Sequence, residues 1–483
     1  MNFFNEGFRK KAKNNKTILG KEDIKMENLQ VKNIRRMGFY FIMFLTMLCI
    51  SLSAYGQEGR LSPTGLPAAP GWRFDRELST LKRNPEFGKI VYKYTEMGLE
   101  DEEYNHQKII NSWGYGARNV DEIKDLLPEP LYQMVKHPEI WGEIRINETP
   151  DSPEKPSPAW NAYKEATAKY KGRSSLDKND WLQNYTAGCP FPDIDFEKDP
   201  KAAIKLAWNH DRRIWFDDRE APHIGQIVDK HGNVSESCGY EFRLMFDGRL
   251  LVDPKPLITP NPRRLRYALS FPYVDPYNLR GIVTVIHRYM DDKDDDMWVY
   301  LPSLRRVRRF STAQTQDPIS AGNDTVWDLF ATFAGNIRKL NWQYLGLKTM
   351  LIPLKASNIW QVNEGKKPTI GGVDQYYQRR KVHVLKGTYK IPIILKDVYI
   401  YIDPETWKSC YGVATDIKGK DYKFVYYSYG RNKTGFPNEK LMTHCDLQRY
   451  HVTPTVTSGS NSTGFDPRLT EMDFCVRKFG GAR

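Results

Sequence analysis

The chain has 483 residues, a mean hydropathy of −0.62, 27% charged residues and 40% hydrophobic residues. This composition is typical of a water-soluble globular body, and beyond residue 56 no stretch is apolar enough to span a bilayer. Of the net charge of +13, residues 1–56 supply ten Lys or Arg against four Asp or Glu, which leaves about +7 for the remainder. Such a mild excess suits an anionic membrane surface or lipid headgroup as well as nucleic acid, but no nucleic-acid-binding motif is visible, so nucleic acid is not the expected partner.

The N-terminal region has the pattern of a secretory signal peptide. A basic cluster over residues 32–36 precedes an uncharged apolar run from Gly38 to Ala54, and small residues favour cleavage after Gly56. We therefore predict that residues 1–56 form a signal peptide with an over-extended N terminus, for which Met26 offers a later start. The alternative is an uncleaved anchor, although the apolar run falls short of the ~20 residues that a span requires.

The remaining residues, 57–483, are predicted to form one large domain that is richer in helix over 71–210 and richer in strand over 240–450. Apolar residues at helical spacing, a Pro128 break and an Asp199-Pro200 start signal indicate three helices. These predicted helices are Val120–Val135, Pro158–Lys171 and Asp199–Asn209. The proline-rich stretch Thr149–Pro158 is predicted to be a loop, as is the Ser/Thr/Gly-rich stretch Thr455–Gly464.

From Tyr240 onward, short runs of β-branched and aromatic residues alternate with turn residues, which is typical of β structure. Arg280–Met290 and Met297–Phe310 are predicted to form a hairpin around the polar connection Asp291–Asp296. Further predicted strands are Gly346–Pro353, Tyr377–Leu385, Asp397–Asp403, Cys410–Asp416 and Tyr422–Tyr429. The pattern predicts an α+β fold in which a large curved antiparallel sheet is covered on one face by helices and can enclose an apolar ligand.

The segment from Trp298 to Phe310 carries the most unusual composition, since two aromatic residues precede four arginines. On a single strand, Arg305 and Arg309 would flank Val307 on one face, while the other two arginines would share the opposite face. Guanidinium groups at a cavity rim would suit an anionic headgroup, and the alternative is pairing with nearby acids at positions 317, 324 and 328. The candidate ligand-binding residues are Trp298, Tyr300, Arg305, Arg306, Arg308, Arg309 and Trp342, beside a cavity predicted along Val283–Ile286 and Val299–Leu301.

Motifs for catalysis or metal binding are missing from the sequence. Asp291–Asp296 lacks the Gly and Glu positions of a calcium loop, the nine histidines form no zinc-binding pair, and no nucleophile elbow or phosphate loop occurs. We therefore expect no enzyme activity, no metal and no cofactor, and the adjacent His210 and Asp211 are the residues that a hydrolase hypothesis would invoke. Cysteines 410 and 445 are the first disulfide to test, and buried free thiols are the alternative.

Several motifs in order resemble the domain of unknown function 1329 family, whose members are described as similar to outer-membrane lipoprotein-sorting proteins. These motifs are Gly188–Pro192, Trp208–Asn209, Phe271–Tyr277 with Arg280–Gly281, Trp298–Phe310, Gly322–Asp324, Phe333–Gly335 with Trp342, and Tyr401–Trp407. Together they span Leu61–Phe474, although Cys189 stands where the family pattern leads us to expect Gly.

The resemblance implies a half-barrel sheet like that of the lipoprotein carriers LolA and LolB. It further implies a periplasmic protein of a Gram-negative envelope, associated with the outer membrane, that carries a lipid or other hydrophobic ligand between membranes together with an RND-type transporter. The alternative is a non-catalytic interaction module that docks on an envelope transporter or outer-membrane protein through its arginines.

Overall fold

The computed structural model describes residues 114–475, except 320–321, 356–366, 371–373, 432–434, 436 and 458–468. The predicted signal peptide and most of the predicted loop Thr455–Gly464 lie outside these residues. The α-helices are α1 (Glu129–Lys136), α2 (Pro138–Trp141), α3 (Pro158–Tyr170) and α4 (Ala202–Asp211). Short 3-10 helices cover Val120–Leu126, Thr312–Gln316, Trp327–Thr332, Ile337–Lys339 and Glu471–Phe474.

The helix predictions hold with local corrections. Pro128 is extended and separates the Val120–Leu126 turn from α1, because proline suits the position just before a helix. Ser157 caps α3 by accepting the backbone N–H of residue 160 at 3.1 Å. The predicted start of α4 at Asp199 is wrong, because that carboxylate instead accepts the N–H of residue 201 at 2.8 Å and closes a turn before the helix begins.

Strands are the main regular element of the described chain. They are β1 (Arg145–Thr149), β2 (Ser175–Leu176), β3 (Leu182–Gln183), β4 (Asp218–Val228), β5 (Val234–Met245), β6 (Leu265–Asp275), β7 (Val283–Tyr289), β8 (Asp296–Leu301), β9 (Arg306–Arg309), β10 (Leu340–Ile352), β11 (Asp374–Tyr389), β12 (Leu395–Ile402), β13 (Ser409–Asp416), β14 (Asp421–Arg431), β15 (Pro437–Asp446) and β16 (His451–Thr457). β2 and β3 form a separate two-stranded sheet.

The other 14 strands form one open sheet in the order β1-β11-β12-β13-β14-β15-β16-β4-β5-β6-β7-β8-β9, with β10 also paired to β11. All its pairs are antiparallel except the parallel pair of β1 and β11. The predicted α+β class with a large, mostly antiparallel sheet is therefore confirmed. The α-helices share one core with strands β10 to β15, while both faces of β5 to β8 carry smaller cores of their own.

The prediction of one strand from Met297 to Phe310 is wrong. β8 ends at Leu301 and β9 begins at Arg306, and the intervening turn contains Pro302 and an Arg305 with a left-handed φ of 48°. Proline cannot donate a ladder hydrogen bond, so the chain turns there instead of extending the strand. The predicted alternation of arginines about Val307 consequently fails at Arg305, and β9 becomes the edge strand of the sheet.

Candidate functional site

A cavity of about 890 Å³, counted out to its open mouth, lies against one face of the sheet. Strands from both halves of the sheet order contribute to it, which means that the sheet curves around this space. Residues 322–333, called the covering segment below, contribute Asn323, Thr325, Trp327 and Phe330 to its lining. The lining residues are His223, Gly225, Ile227, Ser237, Glu241, Phe271, Tyr273, Thr284, Ile286, Ile319, Asn323, Thr325, Trp327, Phe330, Tyr427, Met442, His444, Thr453, Thr455 and Thr457.

Strand alternation decides which residues reach the cavity. On β7, Thr284 and Ile286 line it, whereas Val283 and Val285 belong to the core on the opposite face. The predicted cavity strand Val283–Ile286 thus contributes every second residue. Residues 299–301 of β8, which were predicted beside it, lie outside the lining.

One wall of the cavity is aromatic and aliphatic. Phe330 stacks on Trp327 at a centroid distance of 5.4 Å and meets Phe271 edge-on at 5.9 Å. The indole N–H of Trp327 donates to Asp295 at 2.6 Å outside the cavity, so the ring can present its apolar face inward without leaving its polar atom unsatisfied. Met442 and Ile286 extend this apolar surface across the sheet.

A neighbouring part of the lining carries hydroxyl groups in a row, since Thr455 is the cross-strand partner of Met442. Thr453, Thr455 and Thr457 follow each other at every second position of β16, and all three line the cavity. Threonine offers a methyl group together with one donor and two acceptor sites. The hydroxyls of Thr453 and Thr457 donate to Asp324 and to the carbonyl oxygen of Glu439, so these two residues offer the cavity their methyl groups and remaining acceptor sites.

Hydrogen bonds hold the covering segment on the sheet. The backbone N–H of Ala331 donates to the Tyr427 hydroxyl at 2.8 Å. At the other end, Thr453 donates to Asp324 at 3.0 Å, and the His451 ring contacts the same carboxylate at 2.5 Å. Both ends of the segment are thus tied to neighbouring strands, while its middle contributes the aromatic wall.

At neutral pH the cavity wall carries little net charge. Burial lowers the pKa of His223 to about 4 and that of His444 to about 3, so both rings are neutral. Glu241 is the charged residue among the described lining residues, and it is compensated by Arg219 at 3.3 Å and Arg243 at 2.7 Å. A neutral wall favours an uncharged or apolar part of a ligand over an ionic one.

A buried cationic cluster meets the cavity lining through the ion pair of Arg243 with Glu241. The guanidinium carbons of Arg213 and Arg243 lie 4.2 Å and 4.1 Å from the centre of the Trp215 ring, and the Lys408 ammonium lies 4.8 Å from it. Burial lowers the pKa of Lys408 to about 7, although Glu439 lies 3.2 Å away. Sequence reasoning missed this cluster, because its members are far apart in the chain.

The aromatic residues predicted as ligand contacts lie outside the cavity. Tyr300 is buried in the core on the opposite face, and Trp298 packs there edge-on against His287 at 4.9 Å. Trp342 donates to the carbonyl of Ile337 at 2.8 Å and belongs to the periphery of the helical core. Their role in ligand binding remains a prediction, and their described contacts are structural.

The four predicted arginines are exposed at or near the turn between β8 and β9. These are Arg305, Arg306, Arg308 and Arg309. Arg309 pairs with Asp296 on the adjacent strand, whereas Asp324 contacts His451 and Asp328 accepts a hydrogen bond from Tyr389 at 2.7 Å. The predicted pairing with acids at positions 324 and 328 is therefore wrong, because these carboxylates are buried in the covering segment.

The residues of the hydrolase hypothesis have separate partners. The Nδ1 of His210 lies 2.9 Å from the carbonyl oxygen of Trp407, while Asp211 accepts a hydrogen bond from Arg266 at 2.6 Å. Two neighbouring arginines add to the attraction that holds the pKa of Asp211 below its usual value despite its burial. The carboxylate is thus committed to guanidinium groups and not to orienting the imidazole.

Within the described residues, no group of three or more His, Cys, Asp or Glu is placed to hold a metal ion. All five cysteines of that part of the chain are free thiols, so the predicted disulfide is wrong. Cys410 lies on β13 and Cys445 on β15, two strand spacings or ~9.5 Å apart, which exceeds the reach of a disulfide. No helix in the described ranges is long and apolar enough to cross a membrane.

Several solved structures are similar to this chain. A domain described as an outer membrane lipoprotein-sorting protein from Vibrio parahaemolyticus is 16% identical, with a TM-score of 0.42 over 58% of this chain and 100% of the other. A DUF1329 family protein from Desulfovibrio piger gives the same identity and TM-score over 58% and 98%. A LolA superfamily protein from Nitrosomonas europaea is 12% identical, with a TM-score of 0.35 over 53% and 91%.

No curated protein is significantly similar to the chain. The family model described as protein of unknown function, DUF1329, matches residues 116–477, which include the whole cavity lining and the covering segment. Because this match extends over well more than half of the 483 residues, the chain belongs to the DUF1329 family.

Proposed function

We propose that this protein is a periplasmic carrier that binds a lipid or other hydrophobic ligand in the cavity on the curved face of its sheet and performs no catalysis. The observation that carries the proposal is a cavity, open to solvent, whose wall combines an aromatic patch, a threonine row and neutral histidines. The basic and apolar N-terminal pattern supports export.

The energetics of lipid transfer require such a cavity. Each CH₂ group moved out of water contributes about 0.8 kcal/mol, so a carrier that competes with a bilayer needs an apolar surface of comparable extent. The Trp327, Phe330 and Phe271 rings provide large contact areas with few rotatable bonds.

The experiment is to purify the protein from a periplasmic extract, extract it with organic solvent and identify co-purifying lipid by mass spectrometry. In parallel, the delipidated protein is titrated with a fluorescent fatty-acid probe. We expect both bound lipid and saturable probe uptake. A folded protein that carries no lipid and takes up no probe would contradict the proposal.

The finer part of the proposal is that the cargo moves between membranes together with an RND-type transporter. The second candidate function is a non-catalytic module that docks on a transporter or outer-membrane protein, and the exposure of the β8–β9 arginines favours it. Charge reversal by Arg306→Glu and Arg308→Glu distinguishes the two. Under the docking function the variant loses partner pull-down and keeps its lipid, whereas under the carrier function alone both stay as in the wild type.

A further inference from the structure

The strand order places six hairpin turns in one row, where the strands of the large sheet end. The end of β4 lies next to the start of β5, which defines one end of the strands. Because neighbouring strands are antiparallel, their registers show which end of each further strand lies on that same side. We call this row of strand ends and turns the hairpin rim. Its turns are residues 229–233, 276–282, 302–305, 390–394, 417–420 and 447–450.

The hairpin rim concentrates the exposed apolar side chains of the described part of the chain. Nine large hydrophobic residues are exposed in the described part of the chain, and six of them lie in rim turns. These six are Tyr277, Leu304, Ile391, Ile393, Ile417 and Tyr450. Tyr277 and Ile391 are 85% and 80% exposed, so they project from the turns and do not pack on the sheet. Hairpin turns are usually polar, and clustered exposed apolar residues mark a binding surface.

The same turns are basic. Their residues include seven Lys or Arg and one Asp, namely Lys230, Arg280, Arg305, Lys390, Lys418, Lys420 and Arg449 against Asp229. The residues that begin or end the flanking strands add Arg306 and four aspartates, at positions 275, 416, 421 and 446, so the rim as a whole has eight basic against five acidic residues. Asp416 accepts the N–H of Lys418 at 2.9 Å, and Asp446 accepts that of Arg449 at 2.9 Å. The rim therefore carries a modest net positive charge, whereas the acidic β7–β8 connection lies at the other end of the strands.

The cavity begins directly behind the rim. Ile227 lines it one residue before the end of β4, and Tyr273 lines it two residues before the end of β6. Thr453 and Thr284 lie near the rim ends of β16 and β7. A ligand that enters or leaves along the strands at this end would pass between the exposed apolar turns.

We propose that the hairpin rim docks on the surface of a bilayer that contains anionic phospholipid, so that the cavity faces the membrane from which it loads or to which it delivers. This inference rests on the proposed carrier function. Apolar turn residues would enter the boundary between headgroups and acyl chains, while the Lys and Arg side chains would meet lipid phosphates. A protein partner would need a complementary acidic surface and would not require six exposed apolar residues spread along the rim.

The charge part is tested by co-sedimentation with vesicles of phosphatidylglycerol and phosphatidylethanolamine, compared with neutral phosphatidylcholine vesicles. Proteins are purified from the same host fraction, so that all variants share the same N terminus. We expect Lys418→Glu with Lys420→Glu to weaken binding to the anionic vesicles at least about tenfold, since each basic residue near such a surface strengthens binding about fivefold. The matched control is Lys178→Glu with Lys198→Glu, two exposed lysines outside the rim that carry the same charge change.

The apolar part is tested by Ile391→Ser with Ile393→Ser, which leaves the charge unchanged and removes two exposed side chains. We expect severalfold weaker vesicle binding and, for Ile391→Trp, a blue-shifted emission on addition of anionic vesicles. Unchanged vesicle binding in both rim variants, or equal loss in the control pair, would overturn the inference. So would rim variants that bind vesicles normally but lose a co-purifying protein, since that outcome identifies a protein surface.

The outcomes separate the inference from the proposed function. Probe uptake and co-purified lipid report on the cavity, and vesicle binding reports on the rim. A wild-type protein that holds lipid but ignores anionic vesicles refutes the rim and leaves the carrier function standing. Circular dichroism of every variant establishes that the sheet is intact.

Discussion

Gly225 provides a direct way to fill the cavity from a rigid strand. It lies on β4 opposite Thr455, lines the cavity and has no left-handed backbone angle. A Cβ atom there would lie 3.3 Å from the Thr455 hydroxyl and 3.6 Å from the Ser237 hydroxyl. Both neighbours are rotatable side-chain groups, so Gly225→Leu can be accommodated with a small adjustment.

The expected effect on binding exceeds the effect on stability. Leucine would take the space of about four ligand carbons at ~0.8 kcal/mol each, which gives about 3 kcal/mol or roughly a hundredfold loss of affinity. For the fold, the ~0.5–1 kcal/mol gained by replacing a strand glycine and the newly buried apolar surface oppose a crowding cost of ~1–3 kcal/mol. The free energy of unfolding should therefore change by only about 1 kcal/mol.

Affinity is measured by titration with a fluorescent fatty-acid probe, and stability by denaturant unfolding of the same samples. Gly116→Leu is the matched control, because a Cβ atom at Gly116 has no neighbour within 4 Å and this residue lies outside the cavity. It should leave probe affinity unchanged. If Gly225→Leu is folded and binds the probe as tightly as the control does, the reasoning that the ligand occupies this cavity is refuted.

Further predictions concern buried charge and thiols. The hydrogen bond to Asp324 raises the pKa of His451, so its stabilisation is complete below the unfolded pKa of ~6.5 and is lost as pH rises through the folded pKa. The stability gap between the wild type and His451→Gln should therefore be larger at about pH 6 than at about pH 9 in thermal melts, and a gap that grows with pH would contradict this assignment. Glu439→Gln should destabilise the protein by about 3–5 kcal/mol in denaturant unfolding, because it weakens the compensation of buried cations, whereas Lys408→Met should cost less, because Arg219 still compensates Glu439. The opposite ranking would refute the excess of positive charge in the cluster. Native thiol labelling followed by mass spectrometry should modify Cys475, which is half-buried, before the four buried cysteines, and early labelling of those four would contradict their burial.

The strands that sequence reasoning found are those with conventional composition. β7 and β8 combine alternating apolar residues with an intervening aspartate run, and β12 to β14 carry β-branched and aromatic residues between turn signals. Such patterns report local preference together with burial on a pleated surface. Their positions and the α+β class could therefore be predicted without knowledge of long-range pairing.

The missed strands contain residues whose burial depends on distant partners. β15 includes Asn438, Glu439 and Lys440, yet every residue of it is buried, and β16 contains Pro454 within its length. β4 and β5 place Arg219 and Glu241 inside the protein, where each compensates the other. A single sequence shows these residues as polar and unfavourable for a central strand, because the compensating charge comes from another strand.

The cavity lies away from the predicted ligand-binding residues for a related reason. The rare composition of the arginine-rich segment favoured it as a ligand-binding site. The chain turns at Pro302, however, and the arginines lie at this turn and on the exposed edge strand β9. The cavity instead uses ordinary residues such as Thr453, Thr455 and Gly225, which become notable only when the curved sheet brings them together. Of the predicted cavity strands, the period-two pattern on Val283–Ile286 contained a usable signal, although it did not indicate which face was hollow.

Photo-crosslinking with a fatty acid that carries a diazirine on its acyl chain tests the central claim most directly. After irradiation and proteolysis, mass spectrometry locates the modified residues. The account predicts adducts on the cavity wall, at residues such as Phe271, Ile286 and Trp327, that are competed by unlabelled fatty acid. Adducts confined to the exposed surface, or adducts that excess unlabelled ligand does not reduce, would contradict the existence of a lipid site within the curved sheet.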